Sequence, residues 1–210
     1  MIPGPDTRLA RLLSARLCHD LGGAVGSLAG ALDLLPEHGD ELLEVAKDSA
    51  ISLRLRMRLY AAAWGGPTIA MEPAALETLL GGAPAAPRVR FDLSGLAPGV
   101  PLLAPIVPIA LNAALLAAEA LPRGGTVRLA GDGDSGLLVL PVADIGHSPA
   151  AWAPRWVALL AGGSPDAALA EGPRAVLAPL LHALLAEAGW TAAFGLGAGH
   201  AAQPLMLTPG

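Results

Sequence analysis

The chain has 210 residues, 53% of them hydrophobic and 15% charged, enough apolar material for a core and incompatible with a disordered chain. The formal net charge of −5 argues against general nucleic-acid binding. The single cysteine, Cys18, excludes a disulfide within the chain and a cysteine-based zinc site.

Asp6 or Thr7 is placed to cap a first helix that runs toward Leu35, where Pro36 is expected to stop it. That is about 30 residues, or roughly 45 Å. Leu17, Leu21, Val25, Leu28, Leu32 and Leu35 fall on one stripe of this helix, spaced by fours and threes as in a heptad seam. Cys18 lies near the edge of the stripe and reads as a small buried hydrophobe. His19 falls nearly opposite it, so its side chain is expected to point out of the helix pair. The same outward face carries Gly22, Gly23, Gly26 and Gly30. Each glycine inside a helix costs about 1 kcal/mol relative to alanine. Four on one face suggest either that another protein approaches this backbone closely or that an alanine- and glycine-rich sequence simply has a solvated face here.

Pro36 to Asp40 reads as a short turn, and a second helix follows from about Asp40 to Trp64. Its seam is Ala46, Ala50, Leu53, Met57, Tyr60 and Trp64, with a second apolar side at Ile51, Leu55 and Leu59. Two long helices joined by a tight turn form an antiparallel hairpin. A lone hairpin cannot bury both apolar sides, so a homodimeric four-helix bundle is expected, with the second side of helix 2 at the dimer contact. Gly65-Gly66-Pro67 marks a boundary between a hairpin unit, 1–66, and a second unit, 67–210.

In the second unit, Glu72 to Leu80 reads as a short helix and Arg88 to Leu93 alternates like a strand. Leu93 to Ala118 carries no charge and is long enough to cross a bilayer. Its prolines at 98, 101, 105 and 108, together with Gly99 and Asn112, favour a loop followed by a buried helix instead. Thr126 to Ala130 and Gly136 to Ala143 read as strands joined by a hairpin turn at 131–134. Trp152 to Leu160 and Arg174 to Ala188 read as helices, the latter capped by Gly189. Trp190 to Phe194 and Gln203 to Leu207 look like a closing strand pair. The fold class is α+β, a helical hairpin followed by a two-layer α/β sandwich. The N-terminus has no basic stretch leading into an apolar run, so no signal peptide and a cytoplasmic location are expected, with no membrane contact.

Arg16-Leu-Cys-His19-Asp20-Leu21, followed by small residues and the leucine seam, resembles the H-box of two-component histidine kinases. It more closely resembles the ChpT-like histidine phosphotransferases of α-proteobacteria, as does the later run Leu115-Leu-Ala-Ala-Glu-Ala-Leu-Pro-Arg-Gly-Gly125. Gly22-Gly23 departs from the bulkier polar residues expected in relatives. The resemblance implies that the second unit is a degenerate form of the histidine-kinase ATP-binding domain. Asn112, the only asparagine, sits where such sites need one. Asp144-Ile145-Gly146 looks like a remnant of the Asp-x-Gly-x-Gly turn, but His147-Ser148-Pro149 follows without the second glycine. There is too little chain after it for an ordered lid. The triplet Gly195, Gly197, Gly199 precedes no helix that could receive phosphates. Lys47, the only lysine, sits in Val-Ala-Lys-Asp rather than a Walker motif. No nucleotide or other cofactor of its own is expected.

The resemblance implies phosphoryl transfer through His19 between receiver domains: from the aspartate of a hybrid kinase's receiver to that of a response regulator. A neutral imidazole is a good nucleophile, and phosphoryl transfer depends mostly on positioning and charge stabilisation. The receiver would bring Mg²⁺. Asp20 either orients the imidazole or is an exposed solubilising acid. Arg16, one turn before His19, is a candidate contact for the phosphoryl group or a receiver carboxylate. Leu12, Gly22, Gly23 and Gly26 are candidate docking residues. Two other readings stay open: an ATP-binding histidine kinase core, and a dimeric scaffold without phosphoryl chemistry. His38, His147, His182 and His200 have no metal-ligand spacing on one helix face, and His182 reads as a partly buried helical residue.

Overall fold

The structure, a computed structural model, describes residues 5–38, 40–66, 69–196 and 202–210, with the side chains of residues 5, 6 and 35–38 left out. Asp6 as a cap, Leu35 in the seam, the His38 side chain, Pro67, Gly197, Gly199 and His200 therefore lie outside the described residues and side chains. Helix α1 spans Pro5–His38 and α2 spans Asp40–Trp64. The expected stop at Pro36 does not occur. A proline in the final turn forfeits one hydrogen bond, and α1 continues past it to within two residues of α2.

The hairpin's inner seam is narrower than the leucine pattern suggests. Toward the turn its buried residues are the small Ala31 and Ala46, and toward the α/β layer they are Asp20 and Tyr60. Leu17 and Leu21 pack onto the main core. Val25, Leu32 and Met57, which the heptad spacing places in the seam, remain about half exposed at 48, 50 and 55%. The second apolar side of α2 is divided. Ile51 is exposed, while Leu59 is fully buried in a core shared with the α/β layer. Leu55 lies under the loop after helix α3 (Pro73–Leu80). A Cβ at Gly82 of that loop would stand 2.5 Å from the Leu55 carbonyl group, so only glycine allows this approach. The face expected at a dimer contact is thus partly covered by the chain itself.

Strands β1 (Val89–Leu96), β2 (Gly125–Gly131), β3 (Leu137–Ala143), β4 (Trp190–Phe194) and β5 (Leu205–Pro209) form one sheet in the order β1-β2-β3-β5-β4. β1 and β2 are parallel and the other pairs antiparallel. The two strand pairs expected at 126–143 and 190–207 are present. Helix α4 (Ile106–Glu119) is buried along nearly its whole length. It contacts the sheet, α2 and helix α7 (Leu177–Ala188). A helix apolar all round belongs inside a protein or a membrane. Among the described residues no helix is long and apolar enough to cross a membrane, and burial among neighbouring elements accounts for the uncharged stretch. Helix α5 (Pro154–Leu160) is as expected, but α6 (Pro165–Ala170) is not, because six residues carry no readable period. The helix expected at 174–188 is a 3₁₀ turn, Pro173–Ala175, followed by α7, which Gly189 caps at φ 68°. The core is continuous from Leu59, Tyr60 and Ala63 of α2 through α4 to the sheet.

Candidate functional site

His19 projects from the outward face of α1, its side chain 65% exposed. Gly22, Gly23, Gly26 and Gly30 are exposed on the same helix. A Cβ built at any of the four meets nothing within 4 Å. The chain's own packing does not require these glycines, and the backbone around His19 stands open. Cys18 is also exposed. Its place at the edge of the stripe leaves it in contact with solvent, contrary to the expected burial. Leu12 is half-buried on α1.

Asp20 is not a solubilising acid: it is 8% exposed and receives three donors. The Oδ2 atom accepts from Tyr60 Oη at 2.6 Å and from Arg16 Nε at 2.7 Å. The Oδ1 atom faces His19 Nδ1 at 3.0 Å. Burial alone would raise the Asp20 pKa, but the hydrogen bonds from Tyr60, His19 and Arg16 outweigh it and hold the carboxyl below its ordinary value. An ionised carboxylate only accepts, so Nδ1 is the donor in this pair, and in a neutral ring that arrangement leaves the lone pair on Nε2. Arg56 adds a bond from α2 to the Asp20 backbone carbonyl, fixing the two helices at this level.

Arg16 does not share the outward face of His19. Its side chain is 17% exposed, and its Nη1 donates to Glu119 Oε1 and to the Arg174 carbonyl, both at 3.3 Å. Burial works against its charge, but Asp20 and Glu119 more than restore it and raise its pKa. Glu119 in turn pairs with Arg155 at 3.3 Å, and Arg155 with Glu171 at 3.1 Å. Burial pushes the Glu119 carboxyl above its ordinary value despite both arginines. Burial, then the Asp20 contact, pushes the Tyr60 hydroxyl far above its usual range, so it remains a donor. Sequence reasoning placed Tyr60 in the seam as an apolar residue and missed this role. The available signal was a lone tyrosine in a stripe otherwise made of aliphatic residues and tryptophan, since a buried phenol needs a partner.

The residues that the resemblance would place in an ATP site, Asn112 and Asp144, are engaged in other contacts. Asn112 is fully buried. Its amide donates to the Ala63 and Pro108 carbonyls at 3.1 and 2.8 Å, and its oxygen accepts from Trp64 Nε1 at 2.9 Å. Trp64 stacks on Tyr60 with centroids 4.1 Å apart. Asp144 pairs with Arg90 at 2.9 Å, and its turn is closed by a bond from His147 N to the Asp144 carbonyl. His182 is partly buried in α7. Among the described residues no group of three or more His, Cys, Asp or Glu could hold a metal ion.

This architecture is that of a solved bacterial phosphotransferase. The two superpose with a TM-score of 0.74 at 23% identity, over 99% of this chain and 97% of that one. Full-length ShkA in complex with AMPPNP aligns over 99% of this chain and 46% of its own, at 15% identity and a TM-score of 0.42. No curated protein matches the chain. The model of the histidine phosphotransferase C-terminal domain family matches residues 73–197, more than half of the chain, and the chain belongs to that family. Membership supports a role in a phosphorelay.

Proposed function

We propose that His19 is the phosphoryl acceptor of this chain, taking the group from the aspartate of one receiver domain and passing it to that of another. The observation that carries this reading is an exposed imidazole on an open helix face, with its Nδ1 held by a buried carboxylate. The Nε2 lone pair attacks the phosphorus of the receiver's acyl phosphate, the P–O bond to the receiver breaks, and its electron pair returns to the receiver carboxylate. Transfer to the second receiver is the same step reversed. No proton need leave Nδ1 in either direction, and Asp20 offsets the positive charge that forms on the ring. Mg²⁺ and the acidic pocket come from the receiver. Gly22, Gly23 and Gly26 line the surface where the receiver docks, with Leu12 nearer the N-terminus of α1. Arg16 acts from behind Asp20 rather than by touching the partner.

The second unit is read as a degenerate kinase ATP-binding domain that binds no nucleotide. Asn112, the residue such a site would need, has its amide committed to α2 and α4. The hairpin is read as the dimerisation element, its occupant a second copy of this chain. Val25 and Leu32 of α1 and Leu43 and Met57 of α2 leave apolar surface exposed on both helices at seven- and fourteen-residue spacings. That arrangement fits a four-helix bundle.

The test is label transfer. Incubation with a phosphorylated receiver should yield acid-labile label on this chain, His19→Ala should abolish it, and ATP with Mg²⁺ alone should give none. Label from ATP alone would instead favour a kinase core, and no label from any receiver of the host would favour a scaffold.

A further inference from the structure

The hydrogen bonds around Asp20 are divided unevenly between its two oxygens. Oδ2 takes two strong donors from different places, the Tyr60 hydroxyl on α2 and the Arg16 guanidinium one turn back on α1. Oδ1 takes only the imidazole. Only two torsions, χ1 and χ2, place an aspartate carboxylate. With Oδ2 fixed from two directions, the plane of the group is set and Oδ1 can point only at Nδ1. Arg16 is itself held from the far side by Glu119 of α4 and the backbone of Arg174, both outside the hairpin. Tyr60 is braced by its stack on Trp64, which Asn112 of α4 holds. Both donors are thus placed by contact between the hairpin and the α/β layer.

We propose that Tyr60 and Arg16 are positioning residues for His19, which fix the Asp20 carboxylate so that the imidazole is kept as its Nδ1–H tautomer with Nε2 bare toward the partner. The α/β layer, through Glu119 and Asn112, is what sets that clamp. This rests on the reading of His19 as phosphoryl acceptor. Phosphorylation at Nε2 requires the lone pair there, and histidine without such a partner distributes its proton between both nitrogens. A ring held in one tautomer and one orientation starts each transfer ready to react.

Tyr60→Phe removes only the hydroxyl and keeps the ring on Trp64. Arg16→Lys keeps the charge but lacks the fork needed to reach Asp20 and Glu119 together. In ¹⁵N-labelled full-length protein, long-range ¹H–¹⁵N correlations should report His19 protonated at Nδ1. In each variant the Nε2–H population should rise. Acceptance from a phosphorylated receiver should fall by about ten- to a hundredfold in each, the range expected for one lost hydrogen bond to a charged group. Unchanged tryptophan fluorescence would show that the Tyr60–Trp64 stack survives, and if one variant fails to fold the other still decides. Wild-type tautomer and rate in the folded variants would overturn the proposal, as would a changed tautomer with an unchanged rate. A wild-type chain that accepts no phosphoryl group would defeat the reading of function instead, and the tautomer measurement would still test the clamp.

Discussion

At the scale of the residue, the proposed site combines an exposed imidazole with a buried acid directly after it in sequence. Helix geometry explains how both hold: adjacent residues differ by about 100° around the axis, so His19 faces solvent while Asp20 turns toward α2. Asp20 also contributes to stability. Its folded pKa lies below the ordinary value because three donors outweigh its burial. An acid of this kind stabilises the fold above its unfolded pKa, near 3.9, and that contribution is lost as pH falls through the lower folded value. Asp20→Asn should therefore destabilise the chain by about 1–3 kcal/mol near neutral pH, with the gap to wild type shrinking under acid. Urea unfolding at pH 7 and at pH 3 measures both; an equal gap at the two pH values would mean that the Asp20 charge contributes nothing.

At the scale of the element, α1 serves both as core and as open platform. Gly23→Leu separates the two. A Cβ there meets no atom of the chain within 4 Å, so leucine should stabilise the helix by about 1 kcal/mol. It should also hold the receiver off by a few ångströms and slow transfer by about tenfold or more. Thermal unfolding together with a transfer assay decides: wild-type transfer would make the glycines mere composition. Much of the element pattern was legible in the sequence, because 3.6 and 2.0 periods in Leu, Val and Ala mark helices and strands directly. His19 was legible for the same reason, as the residue opposite a stripe. The inward turn of Arg16 and the hydroxyl of Tyr60 depend on which partner lies across the helix pair, which spacing along one helix does not encode. Ala31 and Ala46 are buried while Cys18 and Met57 stay exposed, a division that a search for leucines passes over.

At the scale of the molecule, Leu59, Tyr60 and Trp64 tie the end of the hairpin into the core of the α/β layer, with Asn112 as the buried hydrogen-bonding hub. This fixes where a dimer contact should be sought. Leu59→Glu should unfold the chain, since Leu59 is fully buried in the shared core. Leu32→Glu combined with Met57→Glu changes only half-exposed residues and should convert a dimer to a folded monomer by light scattering. A double variant that stays dimeric would place the contact elsewhere. The chain of ion pairs from Arg16 through Glu119 and Arg155 to Glu171 runs from the base of the site across the second unit.

The most direct test is the position of the phosphoryl group on the ring. Phosphorus NMR of the chain after transfer from a phosphorylated receiver distinguishes the two phosphohistidine isomers. With Nδ1 hydrogen-bonded to Asp20, the signal should be that of phosphorus on Nε2, and it should be missing in His19→Gln. A signal from the Nδ1 isomer, or one that persists without His19, would contradict the assignment of His19 and the role of Asp20 together.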